Sequence, residues 1–192
     1  MTNKSLNKVS IRLASGGHSF SPAALRVEGD GVVEVVISTP KSTLVPAELF
    51  VDEDPCSHLT AVGIAPASNE QVVHSAEADG IVAVMAVNGE CVELLRRNYG
   101  SRLSFVSPLL EDAAPERGAL IRLDADVLYV RIYDGVLRFA EAMEIAADAD
   151  VQYYLENIQR VYDIYNMYAR ATGDTERLKR IAGRCFKNLV TA

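Results

Sequence analysis

The 192-residue sequence has no long hydrophobic run, few cysteines and a deficit of positive charge, and each shortage closes off a class of protein. The longest purely apolar stretch, Ile81 to Val87, falls far short of the roughly 20 residues that a bilayer-spanning helix requires, so no membrane role is expected. Three cysteines, Cys56, Cys91 and Cys185, are widely spaced and odd in number, which fits unpaired thiols in a reducing compartment better than a disulfide framework. The net charge of -7 argues against a nucleic-acid partner, because that affinity comes largely from Lys and Arg neutralising phosphates. The basic stretches Arg96-Arg97 and Arg177 to Lys187 read as solvated helix faces. Met1 to Lys8 carries charge but leads into no apolar segment with a small-residue cleavage site, so a cytoplasmic location is expected.

Catalytic signatures are equally scarce. Neither a Gly-x-x-x-x-Gly-Lys phosphate loop, nor a Gly-x-Ser-x-Gly elbow, nor a His-Glu-x-x-His helix occurs, which removes the common hydrolase routes. Cys56-x-His58, with His18 and His74 elsewhere, supplies too few ligands at zinc spacings. No metal site and no catalytic residue is therefore assigned.

What is present is a folded α/β chain. A 49% hydrophobic content at a mean hydropathy of +0.08 suits one large domain or two small packed lobes. Val9, Ile11 and Leu13 alternate with polar or small residues as a half-buried strand does, and Gly16-Gly17 supplies a turn. Phe20 to Val27 reads as a returning strand and Val32 to Ile37 as a third, together an antiparallel meander. Val45 to Phe50 reads as a short helix with Pro46 in its first turn, ended by Asp52-Glu53-Asp54-Pro55. Leu59 to Ile64 and Gln71 to Ser75 read as weak strands. Ile81 to Val87 reads as a strand covered on both faces. Asn88 is placed to cap a helix from Gly89 to Tyr99 that Gly100 stops, and Arg102 to Val106 is the next strand.

Pro108 to Gly118 reads as a boundary between a first lobe, 1–108, and a second, 119–192. The second opens with Ile121-Arg122-Leu123, echoing Ile11-Arg12-Leu13, and this repeat suggests a fold built twice. Leu120 to Leu123, Val127 to Tyr133 and Leu137 to Ile145 read as strands, the last two joined at Asp134-Gly135. From Asp148, as cap, the apolar spacing predicts a helix to about Arg170, with Gly173 as its stop. Asp174-Thr175 then opens a last helix through Leu189.

Two constellations stand out. Asp124 and Asp126 flank one residue, so on a strand they would share a face and a divalent ion; as turn residues they need none. Seven of eight tyrosines lie between Tyr129 and Tyr168, and five fall on the long predicted helix. Tyr154, Tyr165 and Tyr168 follow its apolar stripe, whereas Tyr153 and Tyr162 lie beside it as candidates for an interface or for filling a groove between lobes.

The paired Ile-Arg-Leu strands, with Ile11 to Phe20, Val45 to Phe50 and Val127 to Ile145, resemble an uncharacterised bacterial family in the actin-like ATPase superfamily, whose lobes are ribonuclease H-like. The similarity covers about residues 8–170. It implies a duplicated mixed-sheet α/β fold in which the first hairpin of each lobe grips phosphates, here Gly16 and Gly17 on one side and Asp124 and Asp126 on the other, with ATP and magnesium. Two departures stand against that site. The first turn has glycines and no aspartate, while the second has aspartates and no glycine. After Arg170 the family pattern leads on to strand, helix and strand, whereas one helix is read here, so the second lobe is expected to be shortened to a three-stranded meander plus two helices. The leading expectation is a non-catalytic interaction or scaffold module, without a cofactor, that meets a protein partner or a second copy. The alternative is a nucleotide-binding switch or an ATP-dependent phosphotransfer enzyme.

Overall fold

Residues 9–14 and 31–191 are described by the computed structural model of the chain. The Gly16-Gly17 turn and the predicted strand Phe20 to Val27 lie outside them. The chain divides between Ser107 and Pro108 into two compact units, each with its own sheets and core.

In the first unit, β1 (Val9–Ala14), β2 (Val33–Ser38) and β6 (Leu103–Val106) form a sheet in the order β1-β2-β6, and both pairings are parallel. The antiparallel meander expected here is corrected on this point: Val9 pairs with Val33 and Leu13 with Ile37, so the first and third strands of that reading are direct parallel neighbours with no strand between them. A second sheet is antiparallel, with β5 (Ile81–Asn88) between β3 (Ser42–Pro46) and β4 (Glu70–His74). Its central strand is buried on both faces, as its β-branched run predicts. Met85 and Val87 pack with Val33, Val35 and Ile37 and with Val92 and Leu95 of α2 (Gly89–Tyr99). Val84 and Ala86 pack on the opposite side with Val45 and Leu59.

Asn88 caps α2 as read, its Oδ1 accepting the Cys91 amide at 3.1 Å, and Gly100 follows its last turn. The segment before it is exchanged. Val45 lies in β3, and only Ala47–Leu49 makes a single 3-10 turn. The helix is α1 (Pro55–Ala61), where a terminator and a weak strand were expected. Asp54 caps it by accepting the Ser57 amide at 3.3 Å, and Pro55 occupies the first helical position, where no amide hydrogen is needed.

The second unit opens with a single helical turn, α3 (Pro108–Glu111), followed by β7 (Arg117–Asp124), β8 (Val127–Asp134) and β9 (Val136–Glu144) as an antiparallel meander. Then come α4 (Asp148–Val161), β10 (Tyr168–Gly173), α5 (Thr175–Ala182) and β11 (Asn188–Thr191). The sheet order is β11-β10-β7-β8-β9, with β10 parallel to β7 and β11 parallel to β10. The expected shortening is therefore overturned: strand, helix and strand follow α4, completing a meander extended by alternating helices and strands.

The single long helix to Arg170 fails for a local reason. Helical bonding ends where the Tyr162 amide bonds the Ile158 carbonyl, and Tyr162 turns to extended backbone. Beyond it, Ala169 and Ala171 alternate inward against β7 while Tyr165 and Tyr168 are exposed. Their helix-like spacing was accidental. Gly173 ends a strand, not a helix. At φ +75°, any Cβ there would sit 2.2 Å from the Leu123 carbonyl oxygen, so only glycine lets β10 close on β7.

One face of this sheet carries the core. Ile121 and Leu123 of β7 and Leu128, Val130 and Ile132 of β8 meet Val151, Leu155 and Ile158 of α4 and Leu178 of α5. Asp150, not Asp148, caps α4, its carboxylate accepting the Ala146 and Ala147 amides at 2.9 and 2.8 Å. Among the described residues, no helix is long and apolar enough to cross a membrane.

Candidate functional site

The residues of β7 that do not face the core point the other way, and this opposite face is charged. Arg122 and Asp124 are two apart on one strand and so share it. The Arg122 Nε donates to Asp124 Oδ2 at 2.7 Å, and its Nη1 lies 3.4 Å from Glu111 Oε2. Burial works against the Arg122 charge, but the bond to Asp124 and the nearby Glu111 and Asp112 outweigh it and hold the guanidinium more firmly protonated than usual. On neighbouring strands, Arg131 of β8 donates to the Asp112 carbonyl at 2.9 Å and to the Tyr133 hydroxyl at 3.1 Å. Arg170 of β10 lies 3.6 Å from the Asp112 carboxylate, which also accepts the Thr172 hydroxyl at 3.4 Å. Burial, with Arg170 adding like charge, lowers the Arg131 pKa from its ordinary value.

The turn Asp124-Ala125-Asp126, the second half of the proposed phosphate grip, is tied down around this network. Arg177 of α5 donates from Nη1 to the Ala125 carbonyl at 2.9 Å and from Nε to Asp148 at 2.7 Å, linking the turn to the start of α4. The Asp174 amide donates to the Leu123 carbonyl at 2.8 Å, and the Ile145 amide to the Asp126 carbonyl at 2.7 Å. Ala125 adopts φ +51°, the left-handed region that a glycine would occupy without strain. A hydrated magnesium ion needs carboxylate oxygens free to meet it. Asp124 instead faces a guanidinium and is not free in this way. Asp126 Oδ1 is buried with no protein hydrogen-bond partner. Among the described residues, no three His, Cys, Asp or Glu side chains come together to hold a metal.

Of the other candidate residues, Gly16 and Gly17 lie outside the described residues. Tyr162 is an internal contact: its ring centroid is 5.6 Å from that of Phe139, and its hydroxyl donates to the Arg138 carbonyl at 3.1 Å. Tyr153 remains 63% exposed, touching Tyr154 edge-on. Arg122 went unnoticed in the sequence, although its two-residue spacing from Asp124 was the available signal.

In the first unit, an open cleft of about 450 Å³ borders β4 and β6, lined in part by His74, Ser75 and Arg96. Phe50 stacks on His58 with ring centroids 5.5 Å apart and meets His74 at a tilt with centroids 4.9 Å apart. His74 reaches Asp52 at 3.0 Å and the Ser75 carbonyl at 3.0 Å, while the Ser75 hydroxyl donates to the Ala76 carbonyl. Serine, histidine and aspartate are thus neighbours without a nucleophile-to-base hydrogen bond, which acyl-transfer chemistry requires. His58 Nε2 accepts the Val51 amide at 3.0 Å, so the histidine of Cys56-x-His58 is engaged within the fold. Burial pushes the Cys91 thiol up to about 11, away from reactive thiolate.

No protein-family model matches the sequence, and no curated protein matches it either. Solved structures do. A Bacteroides thetaiotaomicron protein with an actin-like ATPase fold and unknown function superposes with a TM-score of 0.67 at 17% identity, covering 84% of this chain and 68% of that one. The fold is that of the actin-like ATPases. The cytoplasmic domain of EpsL, an inner membrane component of the type II secretion system of Vibrio cholerae, is also similar, with a TM-score of 0.50 at 13% identity, covering 96% of this chain and 85% of that domain. At these identities the likeness carries the fold and no activity. The resemblance read from the repeated strands thus reached the right fold.

Proposed function

We propose that the chain is a non-catalytic, cytoplasmic bacterial interaction or scaffold module that keeps an actin-like framework and has lost its nucleotide site. One observation carries this reading: the Asp124 carboxylate is held at 2.7 Å by Arg122, within a turn whose carbonyls are bonded to Arg177 and Asp174. A triphosphate with its metal would have to break a part-buried ion pair before reaching the Asp124 carboxylate. The likeness to a domain belonging to a secretion assembly supports a protein partner, as does the exposed Tyr153. The acidic total charge supports a partner that is not nucleic acid. Thermal unfolding tests the reading, because a ligand that binds only the folded state raises the melting temperature by mass action. Millimolar ATP with magnesium leaves it unchanged on this account, and a reproducible rise of several degrees contradicts it.

The second reading, a nucleotide switch or phosphotransfer enzyme using ATP and magnesium, is favoured by one observation, the unpartnered buried oxygen of Asp126. In that case Asp126→Ala abolishes magnesium-dependent nucleotide binding and leaves the fold intact.

A further inference from the structure

Two strands that end their own sheets border the open cleft of the first unit. Among the described residues, β4 pairs with β5 and β6 with β2, and the two touch each other at one parallel bridge, Ser75 with Phe105. The cleft of about 450 Å³ lies where they are not paired, with Val72 and His74 on one lip and Leu103 and Ser104 on the other. Register decides which backbone groups look into it. The Gly89 amide bonds the Asn69 carbonyl and the Ser75 amide the Ala83 carbonyl, so the odd-numbered residues of β4 turn their peptide groups toward β5. Val72 and His74 turn theirs toward the cleft, a row of donors and acceptors of the kind that an added strand completes.

Side chains set what that strand carries. On the face where Val73, Leu103 and Phe105 pack with the residues of α2, Arg96 lines the cleft. Its Nη1 donates to Gln71 Oε1 at 3.0 Å and lies 3.6 Å from Glu93 Oε1, while Gln71 Nε2 donates to that same oxygen at 3.1 Å. This triangle fixes the guanidinium and leaves its Nε and Nη2 without a hydrogen bond or ion pair among the described residues. That edge is one a carboxylate meets with two parallel bonds. His74, one residue on from Val73, looks to the opposite face, where the Asp52 carboxylate 3.0 Å away repels a second acidic group.

We propose that this cleft takes an extended segment of a partner protein, paired to β4 as an added strand, with one aspartate or glutamate side chain of that segment on the Nε–Nη2 edge of Arg96. The inference rests on the interaction reading above and gives its partner a chemistry. Main-chain pairing supplies affinity with little regard to sequence, and the single carboxylate supplies selection. Because side chains of an extended chain alternate, the neighbours of the acidic residue point to the face of His74 and Asp52.

Fluorescence anisotropy tests this, with the full chain titrated into a fluorescein-labelled, C-terminally amidated peptide Thr-Val-Glu-Val-Thr. Wild type binds it saturably below millimolar protein. Glutamine in place of the peptide's glutamate weakens binding about tenfold, the order expected for a lost charge-assisted pair. Arg96→Gln abolishes the difference between the two peptides, and the far-UV circular dichroism of this half-exposed variant is unchanged. N-methylation of the peptide's amides weakens binding to wild type as well, because strand pairing needs them. No saturable binding by wild type, equal binding of the two peptides, or a glutamate preference that survives Arg96→Gln each overturns the proposal. ATP and magnesium are absent throughout, so these results fall on the cleft, while the interaction reading stands or falls by the melting temperature with nucleotide.

Discussion

Ile11-Arg12-Leu13 and Ile121-Arg122-Leu123 are the same tripeptide in two settings. In β7 it sits at the middle of a five-stranded sheet, antiparallel to β8 on one side and parallel to β10 on the other. In β1 its one partner among the described residues is β2, and the pairing is parallel. Ile121 and Leu123 are fully buried beneath two helices, whereas Ile11 and Leu13 are half-buried. Arg122 is locked between two carboxylates, while Arg12 is exposed. A period-two pattern tells which residues share a face of a strand. It does not tell which strand comes next to it, because partners are set by the elements that pack on the sheet.

The largest expected effect breaks the comparison at its most specialised contact. Gly173→Ala drives a Cβ into the Leu123 carbonyl at a left-handed backbone position, and should destabilise the second unit by about 3 kcal/mol or more in urea unfolding. Truncating the matched isoleucines is next. Ile121→Ala should cost about 3 kcal/mol, against about 1 kcal/mol for the half-buried Ile11→Ala; equal costs would mean that the two strands are equivalent after all. Ala125→Gly relieves the left-handed strain of the β7–β8 turn and should stabilise by about 0.5 kcal/mol, seen as a small rise in melting temperature.

The smallest effect is on acid stability, and it falls on both units. In the first, burial pushes the Glu70 pKa up, but the Lys41 ammonium at 2.7 Å and the Ala67 amide outweigh it, so the net shift is downward. In the second, hydrogen bonds from Arg177 and Arg180 lower that of Asp148. A lowered folded-state value means the stabilisation is complete above the ordinary carboxylate range, about 4, and is lost as pH falls through the lower folded value. Melting temperature should therefore drop on acidification below that range, and Glu70→Gln should make the drop shallower.

Much of the framework was legible. Ile81 to Val87 read as a doubly covered strand because β-branched residues fill both faces, and Asn88 announced α2 because a capping amide has one geometric use. The errors share a cause. Tyr165 and Tyr168 continue the apolar spacing of α4 yet sit on or beside an extended strand, because Ala169 and Ala171 offer β7 a close partner that no spacing rule sees. The Asp54-Pro55 step opens a helix where an acidic run read as an ending, although the capping chemistry was there. At the site, the aspartates were found and the arginine that holds one of them was not. The carboxylates could be read as sharing an ion or as plain turn residues, and only the structure showed that a charge from the same strand neutralises Asp124.

Titration calorimetry of ATP with magnesium into the intact chain most directly tests whether that internal pairing has replaced nucleotide. The account predicts no heat of binding at millimolar ligand. A saturable isotherm that disappears in Asp126→Ala would contradict it.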